Sequence, residues 1–218
     1  MLFFSLFFSQ MLRFYKNRFS GRVSNKMLMN FIRCAIIINY NAVVCHGGDK
    51  VRILGIDPGY ATVGYGLVDY CRCKFNPVAF GAVTTPAGIP FPRRLGDIYR
   101  DMISIIEKYK PDEMAVERLY FNTNTTTAID VAQARGVIVL AAENSLLPVF
   151  EYTPLQVKQA ITGYGRAEKR QVMEMVKNIL ALERVPKPDD TADALALAVC
   201  HAHCSGTTYS RLYRGAVK

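Results

Sequence analysis

The 218 residues are 50% hydrophobic and 21% charged, a balance that supplies one sizeable core and excludes a wholly disordered chain. The formal net charge of +9 suggests a polyanionic partner, but residues 1–50 carry seven Lys and Arg against one acid, Asp49, while residues 51–218 carry 20 against 17. Overall charge is therefore weak ground for nucleic-acid binding, and local clusters must carry that argument.

The leader, residues 1–50, differs in composition from the rest. Its opening MLFFSLFFSQML is too short to span a bilayer, and its basic residues follow the apolar run where a signal peptide has them in front. A second apolar stretch, Met27 to Cys45, is broken by Asn30, Arg33, Asn39 and Asn41, which are costly in hydrocarbon. No membrane span is expected. Gly47-Gly48-Asp49-Lys50 can be encoded by a purine-rich stretch and Val51 by GTG, an alternative start codon. The leader is thus expected to be dispensable upstream sequence, with a basic arm that binds DNA or membrane as the competing view.

From Val51 the pattern becomes regular. VRILGID reads as a strand that stops at Pro58-Gly59, TVGYGLVDY as its antiparallel return, and residues 75–84 as a third strand. Leu95, Ile98, Met102, Ile105, Ile106 and Tyr109 recur at helical spacing, and Pro111 closes that helix. MAVERLYF reads as a short buried strand, 126–144 as a helix, VFEYT as a strand, and 154–161, 168–182 and 189–204 as helices. This order predicts an α/β domain with a mixed central sheet flanked by helices over 51–204, followed by a polar tail at 205–218. The helix AIDVAQARGVIVLAAE is apolar around much of its circumference, which suits either a subunit interface or burial under a neighbouring helix.

Six cysteines (Cys34, Cys45, Cys71, Cys73, Cys200 and Cys204) form no CxxC pair and are too sparse for a disulfide framework, so a reducing cytoplasm is the default expectation. Cys200-His201-Ala202-His203-Cys204 has metal-ligand residue types, but on a continuous helix these side chains diverge. We read it as helix rather than as a zinc site.

Four acids sit where the chain changes element. Asp57 ends the first strand, Glu117 follows Met114-Ala115-Val116, and Asp190 and Asp193 open the last helix three residues apart, on one face. If the two strands are neighbours and the helix crosses their ends, all four converge. Such a cluster repels itself and calls for a hard divalent cation, and two ions roughly 3.5–4 Å apart could activate water and stabilise a leaving oxygen. Asp57 before Pro58-Gly59 also reads as a turn former, and Asp189 or Asp190 as a helix N-cap. Glu117 is harder to dismiss, because a carboxylate at the end of a buried strand is expensive without a partner.

Beyond Glu117, Tyr120 and Phe121 could stack on unpaired bases or simply pack in the core. Lys158, Arg166, Lys169 and Arg170 surround the turn Gly163-Tyr164-Gly165, where backbone could approach a phosphate, although a solvated helix face looks similar.

As a set, GIDPGYATVGYG (55–66), AVERLYF (115–121), QARG (133–136), VKQAITGYGRAEKRQV (157–172) and DDTADALALAVCHAH (189–203) resemble the RuvC family of Holliday-junction resolvases. The resemblance covers about residues 51–204 and implies a ribonuclease-H-like fold. By position it makes Asp57, Glu117, Asp190 and Asp193 the catalytic, metal-binding acids, with Asp189 a competitor for the role of Asp190. It makes Tyr120 the junction-stacking aromatic, where the family often has Phe, and Lys158 and Lys169 phosphate-contacting lysines. It further implies a homodimer, Mg2+ or Mn2+ as cofactor, symmetrical cutting of a four-way DNA junction to 5′-phosphate and 3′-hydroxyl ends, and work beside a junction-migrating helicase. Residues 1–50 match nothing in the family. Two other readings stand beside it. One is a non-catalytic binding module of the same fold, against which all four acids are present. The other is an actin-like ATPase, which would need a second glycine-rich phosphate loop that this length does not accommodate.

Overall fold

The computed structural model describes residues 50–119 and 125–204. The leader, Tyr120, Phe121 and the tail named above lie outside the described residues.

Alternating apolar residues build β1 (Val51–Asp57), β2 (Thr62–Cys71) and β3 (Lys74–Thr84) as an antiparallel meander. The β2–β3 turn is Arg72-Cys73, both at positive φ (47° and 62°), the arrangement that suits a two-residue hairpin to strand twist. Helix α1 (Phe91–Tyr109) follows, buries Ile98, Met102, Ile105 and Ile106, and ends as Lys110 turns left-handed ahead of Pro111.

Strand β4 (Glu113–Glu117) is shorter than the expected MAVERLYF segment. Its partner β5 (Val149–Tyr152) offers four positions, from Met114 opposite Val149 to Glu117 opposite Tyr152. One further bond, from the Arg118 N–H to the Tyr152 carbonyl at 2.8 Å, ends the ladder. Between these strands lies α2 (Thr125–Asn144).

Helix α3 (Pro154–Thr162) starts on a capping box between Thr153 and Gln156 and stops at Gly163, φ 72°. Helix α4 (Lys169–Ile179) stops short of the expected 182, because Ala181 takes a left-handed φ of 50°. Helix α5 (Asp189–Cys204) closes the fold. Asp189 and Asp190 both lie within its first turn, so neither precedes the helix as a cap.

The sheet order is β3-β2-β1-β4-β5, with β1, β4 and β5 parallel and β2 and β3 antiparallel to their neighbours. Alternation along each strand sorts the core into two layers. Leu54, Ile56, Leu67, Met114 and Val116 pack on α1 and α2, while Ile53, Val68 and Ala115 pack on α5 with α3 and α4 outside it. Helix α5 is almost wholly buried beyond its first turn, which accounts for the continuous apolar run from Ala194 to Cys200. Its polar His201 spends both ring nitrogens internally, at 2.7 Å from the Tyr152 hydroxyl and 2.6 Å from the Glu113 carboxylate. These contacts tie the C-terminal half of α5 to β4 and β5.

Helix α5 lies unusually close to β1 and β2. A Cβ at Gly55 would stand 2.0 Å from the Ala194 carbonyl oxygen, one at Gly64 2.0 Å from that of Asp190, and one at Gly66 2.7 Å from the Leu195 side chain. Glycine is required here for space rather than for backbone freedom.

Gly64→Ala is expected to destabilise the protein by about 1–3 kcal/mol or more, as overpacking does, because the obstacle is helix backbone. Gly96→Ala in α1 meets only the flexible end of Arg100 at 3.3 Å and should gain about 0.5–1 kcal/mol. Urea unfolding of both variants checks the contrast.

Candidate functional site

Strands β1 and β4 are parallel neighbours with Ile56 opposite Val116, so Asp57 and Glu117 come next on each and share the α5 face with Gly55 and Ala115. Asp57 also pairs with Gly64 of β2, and Gly64 is where the Asp190 backbone presses on the sheet. Asp193 follows nearly one helical turn later. Two strand ends and one helix start thus bring the four predicted acids together.

Their electrostatics record the crowding. Burial first, then the charges of Glu117, Asp193 and Asp190, push the Asp57 carboxyl up to about 8, with Lys169 pulling the other way. Burial and Asp193 likewise raise Glu117, opposed by a hydrogen bond with Asp57 and by Lys169 and Lys158. Asp57 and Glu117 behave as two carboxylates sharing a proton.

In the DNA-free chain, Lys169, expected from the sequence to contact phosphate, faces the acids. Its ammonium lies 2.9 Å from Asp193 Oδ2 and 3.7 Å from Asp189 Oδ2. Burial works to lower its pKa, but the hydrogen bond to Asp193 and the charges of Asp193, Asp189 and Asp57 outweigh it and hold the group above the ordinary lysine value. Asp189 accepts from Lys187 at 3.0 Å. That bond, before any other cause, holds it below the usual carboxylate range. Asp189 and Asp190 therefore differ, since Asp190 acts on Asp57 and Asp189 faces lysines.

A cleft of about 220 Å³ opens beside these groups between α3, α4 and α5. Glu117, Asp193, Lys158 and Lys169 form its polar side, and Val157, Val172 and Leu197 its apolar wall. Arg166 and Arg170 are exposed on the adjoining turn and first turn of α4. A larger cleft of about 700 Å³, lined by Tyr99, Ile103 and Leu146 among others, shares no residue with the acids.

Four carboxylates without nitrogen or sulfur fit a hard divalent cation. Among the described residues no three ligands already converge on one coordination point, and the Lys169 ammonium stands among the acids as their counter-charge. One contributor escaped sequence reasoning. Arg135 of α2 donates to the Glu117 carbonyl at 3.4 Å and pairs with Glu151 of β5, gripping the strand end from the opposite face. QARG contains it, but nothing in that motif alone assigns the contact.

Residues 53–201 match the family model described as Crossover junction endodeoxyribonuclease RuvC. The RuvC of Brevibacillus brevis, of that same description, is 59% identical over 152 residues, which are 70% of this chain and 92% of that protein. That of Caldanaerobacter subterraneus is 54% identical over 153 residues, 70% and 93% of the two chains. Among solved structures, Thermus thermophilus RuvC in complex with Holliday junction substrate superposes with a TM-score of 0.64 at 33% identity, covering 74% of this chain and 96% of that one. The yeast mitochondrial Holliday junction resolvase, at 16% identity and a TM-score of 0.56 over 83% and 97% of the two chains, shares the fold. The sheet is the ribonuclease-H-like one expected from the sequence, and the chain belongs to the RuvC family of crossover junction endodeoxyribonucleases.

Proposed function

We propose that this protein resolves four-way DNA junctions by hydrolysing one phosphodiester in each of two symmetry-related strands, with Asp57, Glu117, Asp190 and Asp193 holding divalent metal. The observation that carries this reading is the gathering of four carboxylates at the ends of β1 and β4 and the start of α5, in a chain of this family. Family membership brings dependence on a divalent cation, and the all-oxygen donor set favours Mg2+, or Mn2+, as two ions per subunit. Metal bound there would activate the attacking water and neutralise charge on the leaving oxygen.

The chain's own residues do the rest. Asp57 and Glu117 stand on strand ends, while Asp190 and Asp193 are carried by a buried helix, so the backbone that carries the donors is positioned before substrate arrives. Lys158 lines the cleft, Arg166 and Arg170 are exposed on the turn before α4 and on its first turn, and all three suit phosphates of the cut strand. Tyr120, three residues beyond Glu117, is the candidate for stacking on bases at the crossover. Asp190 rather than Asp189 completes the set, because Asp189 is neutralised by Lys187 on the outer side.

A two-fold substrate calls for a two-fold protein. The outer side of α2 offers a surface for it: Ile129 and Leu140 are 57% and 52% exposed, and Gln133 and Gly136 lie between them at helical spacing. A Cβ at Gly136 would meet nothing within 4 Å, leaving room for close approach by a second α2. A junction-migrating helicase is the partner that the resemblance implies.

Asp57→Asn, Glu117→Gln and Asp193→Asn should each abolish Mg2+-dependent cutting of a four-way junction while junction binding stays within a few-fold. Gel assays of cleavage and binding, with ATP hydrolysis measured alongside, check this; a variant that still cuts at the wild-type rate leaves the site. Leu140→Arg should turn a dimer into monomers by sedimentation and uncouple the two cuts.

A pH dependence follows from Asp57. Its folded-state pKa lies above the ordinary value, so between about pH 4 and pH 8 the folded state binds more protons than the unfolded one. Metal-free stability from this group should therefore fall as pH rises through that window. Thermal melts should show the decline in the wild type and a flatter profile in Asp57→Asn, with Mg2+ raising Tm more at pH 8 than at pH 5.

A further inference from the structure

Lys169 is the first residue of α4 and its side chain is 53% exposed, yet its ammonium is bound into the acid group, 2.9 Å from Asp193 and 3.7 Å from Asp189. A primary ammonium and a divalent cation are alternative counter-ions for one carboxylate. Standing together at contact distance from Asp193, they would repel each other strongly in a partly buried cleft.

We propose that Lys169 is an internal counter-ion that competes with the incoming divalent cation for Asp193, and that cation binding releases its side chain toward a DNA phosphate. The proposal rests on the reading above that these acids hold metal, and it adds a coupling between metal loading and strand capture through one residue.

Three features make the exchange workable. Lys169 has a flexible four-carbon stem, and half of its side chain already meets solvent, so it has a way out. Asp189 keeps its bond to Lys187 at 3.0 Å, so the departure of Lys169 leaves no bare carboxylate on the outer side. Lys169 also acts at longer range on Asp57 and Glu117, so its charge holds the acids together before metal arrives. Lys158, across the cleft, acts on Glu117 only through its charge and is not expected to compete in the same way. Because the coupling is a binding equilibrium, whatever displaces Lys169 from Asp193 must also strengthen metal binding.

The test is calorimetric titration of the full-length, DNA-free protein with MgCl2, using wild type, Lys169→Gln, Lys169→Arg, Asp193→Asn and the distant control Lys177→Gln. Removing a contacting like charge should tighten Mg2+ binding by about tenfold or more in Lys169→Gln. Lys169→Arg and Lys177→Gln should stay near wild type. In the wild type itself, the side-chain NMR signal of Lys169, assigned by its loss in Lys169→Gln, should shift on Mg2+ saturation. Unchanged or weaker Mg2+ affinity in Lys169→Gln overturns the proposal, as does a Lys169 signal indifferent to metal. If wild type binds Mg2+ and Asp193→Asn weakens it, either failure falls on the counter-ion alone. If wild type and Asp193→Asn bind Mg2+ alike, the metal site itself is wrong.

Discussion

The close seating of α5 on β1 and β2 is the constraint on which the rest of the structure depends. Gly55, Gly64 and Gly66 remove the side chains that would otherwise hold helix and sheet apart, and the helix backbone descends into the space. Asp190 thereby comes to stand over the residue that pairs with Asp57. At an ordinary packing distance the four carboxylates would belong to two separate layers. The Glu113–His201–Tyr152 contacts at the far end of α5 fix the same helix by polar bonds, in a place where no carboxylate need stay free. One end of α5 is thus anchored by matched groups, while at the other the carboxylates around Asp57 outnumber the one Lys169 ammonium among them.

The unmatched end works against stability. Burying like charges side by side raises Asp57 and Glu117, and a fold selected for stability alone would put apolar residues there. The tension is relieved in three alternative ways: a proton on the Asp57–Glu117 pair, the Lys169 ammonium, or a cation. The first two are available to the metal-free chain, and each is reversible under the conditions in which the third is supplied. On the proposed exchange of counter-ions, this site is paired less permanently than Glu113 and His201 are.

Much of the architecture was legible in the sequence because it rests on periodicity. VRILGID and TVGYGLVDY announce β1 and β2, and the 3.6-residue spacing from Leu95 to Tyr109 announces α1. What failed depends on partners. The strand expected through MAVERLYF stops at Glu117 because β5 runs out, and no property of Arg118 or Leu119 states how long a neighbouring strand will be. The Arg72-Cys73 hairpin lacks the Asn or Gly that marks such turns, and tertiary pairing alone holds it. The acids were legible as types at element ends, whereas the capture of Lys169 by Asp193 was not, since it requires the distance between two helices. Gly64 and Gly66 were read as features of a return strand, and their sharper meaning emerges only with α5 in place.

Register makes the site sensitive to residues far from it. With Ile53 opposite Glu113 and Ile56 opposite Val116, odd-numbered positions of β1 and β4 face α5 and even-numbered ones face α1 and α2. A slip of one residue in β4 would turn Glu117 into the apolar layer and Val116 out of it, an exchange the buried core resists at every position from Met114 onward. The grip of Arg135 on the Glu117 carbonyl and on Glu151 works in the same direction, pinning the last residue of the strand where the core can no longer do so. Packing on one face of the sheet therefore sets where a carboxylate points on the other. The two core layers and the acid group are parts of a single register decision.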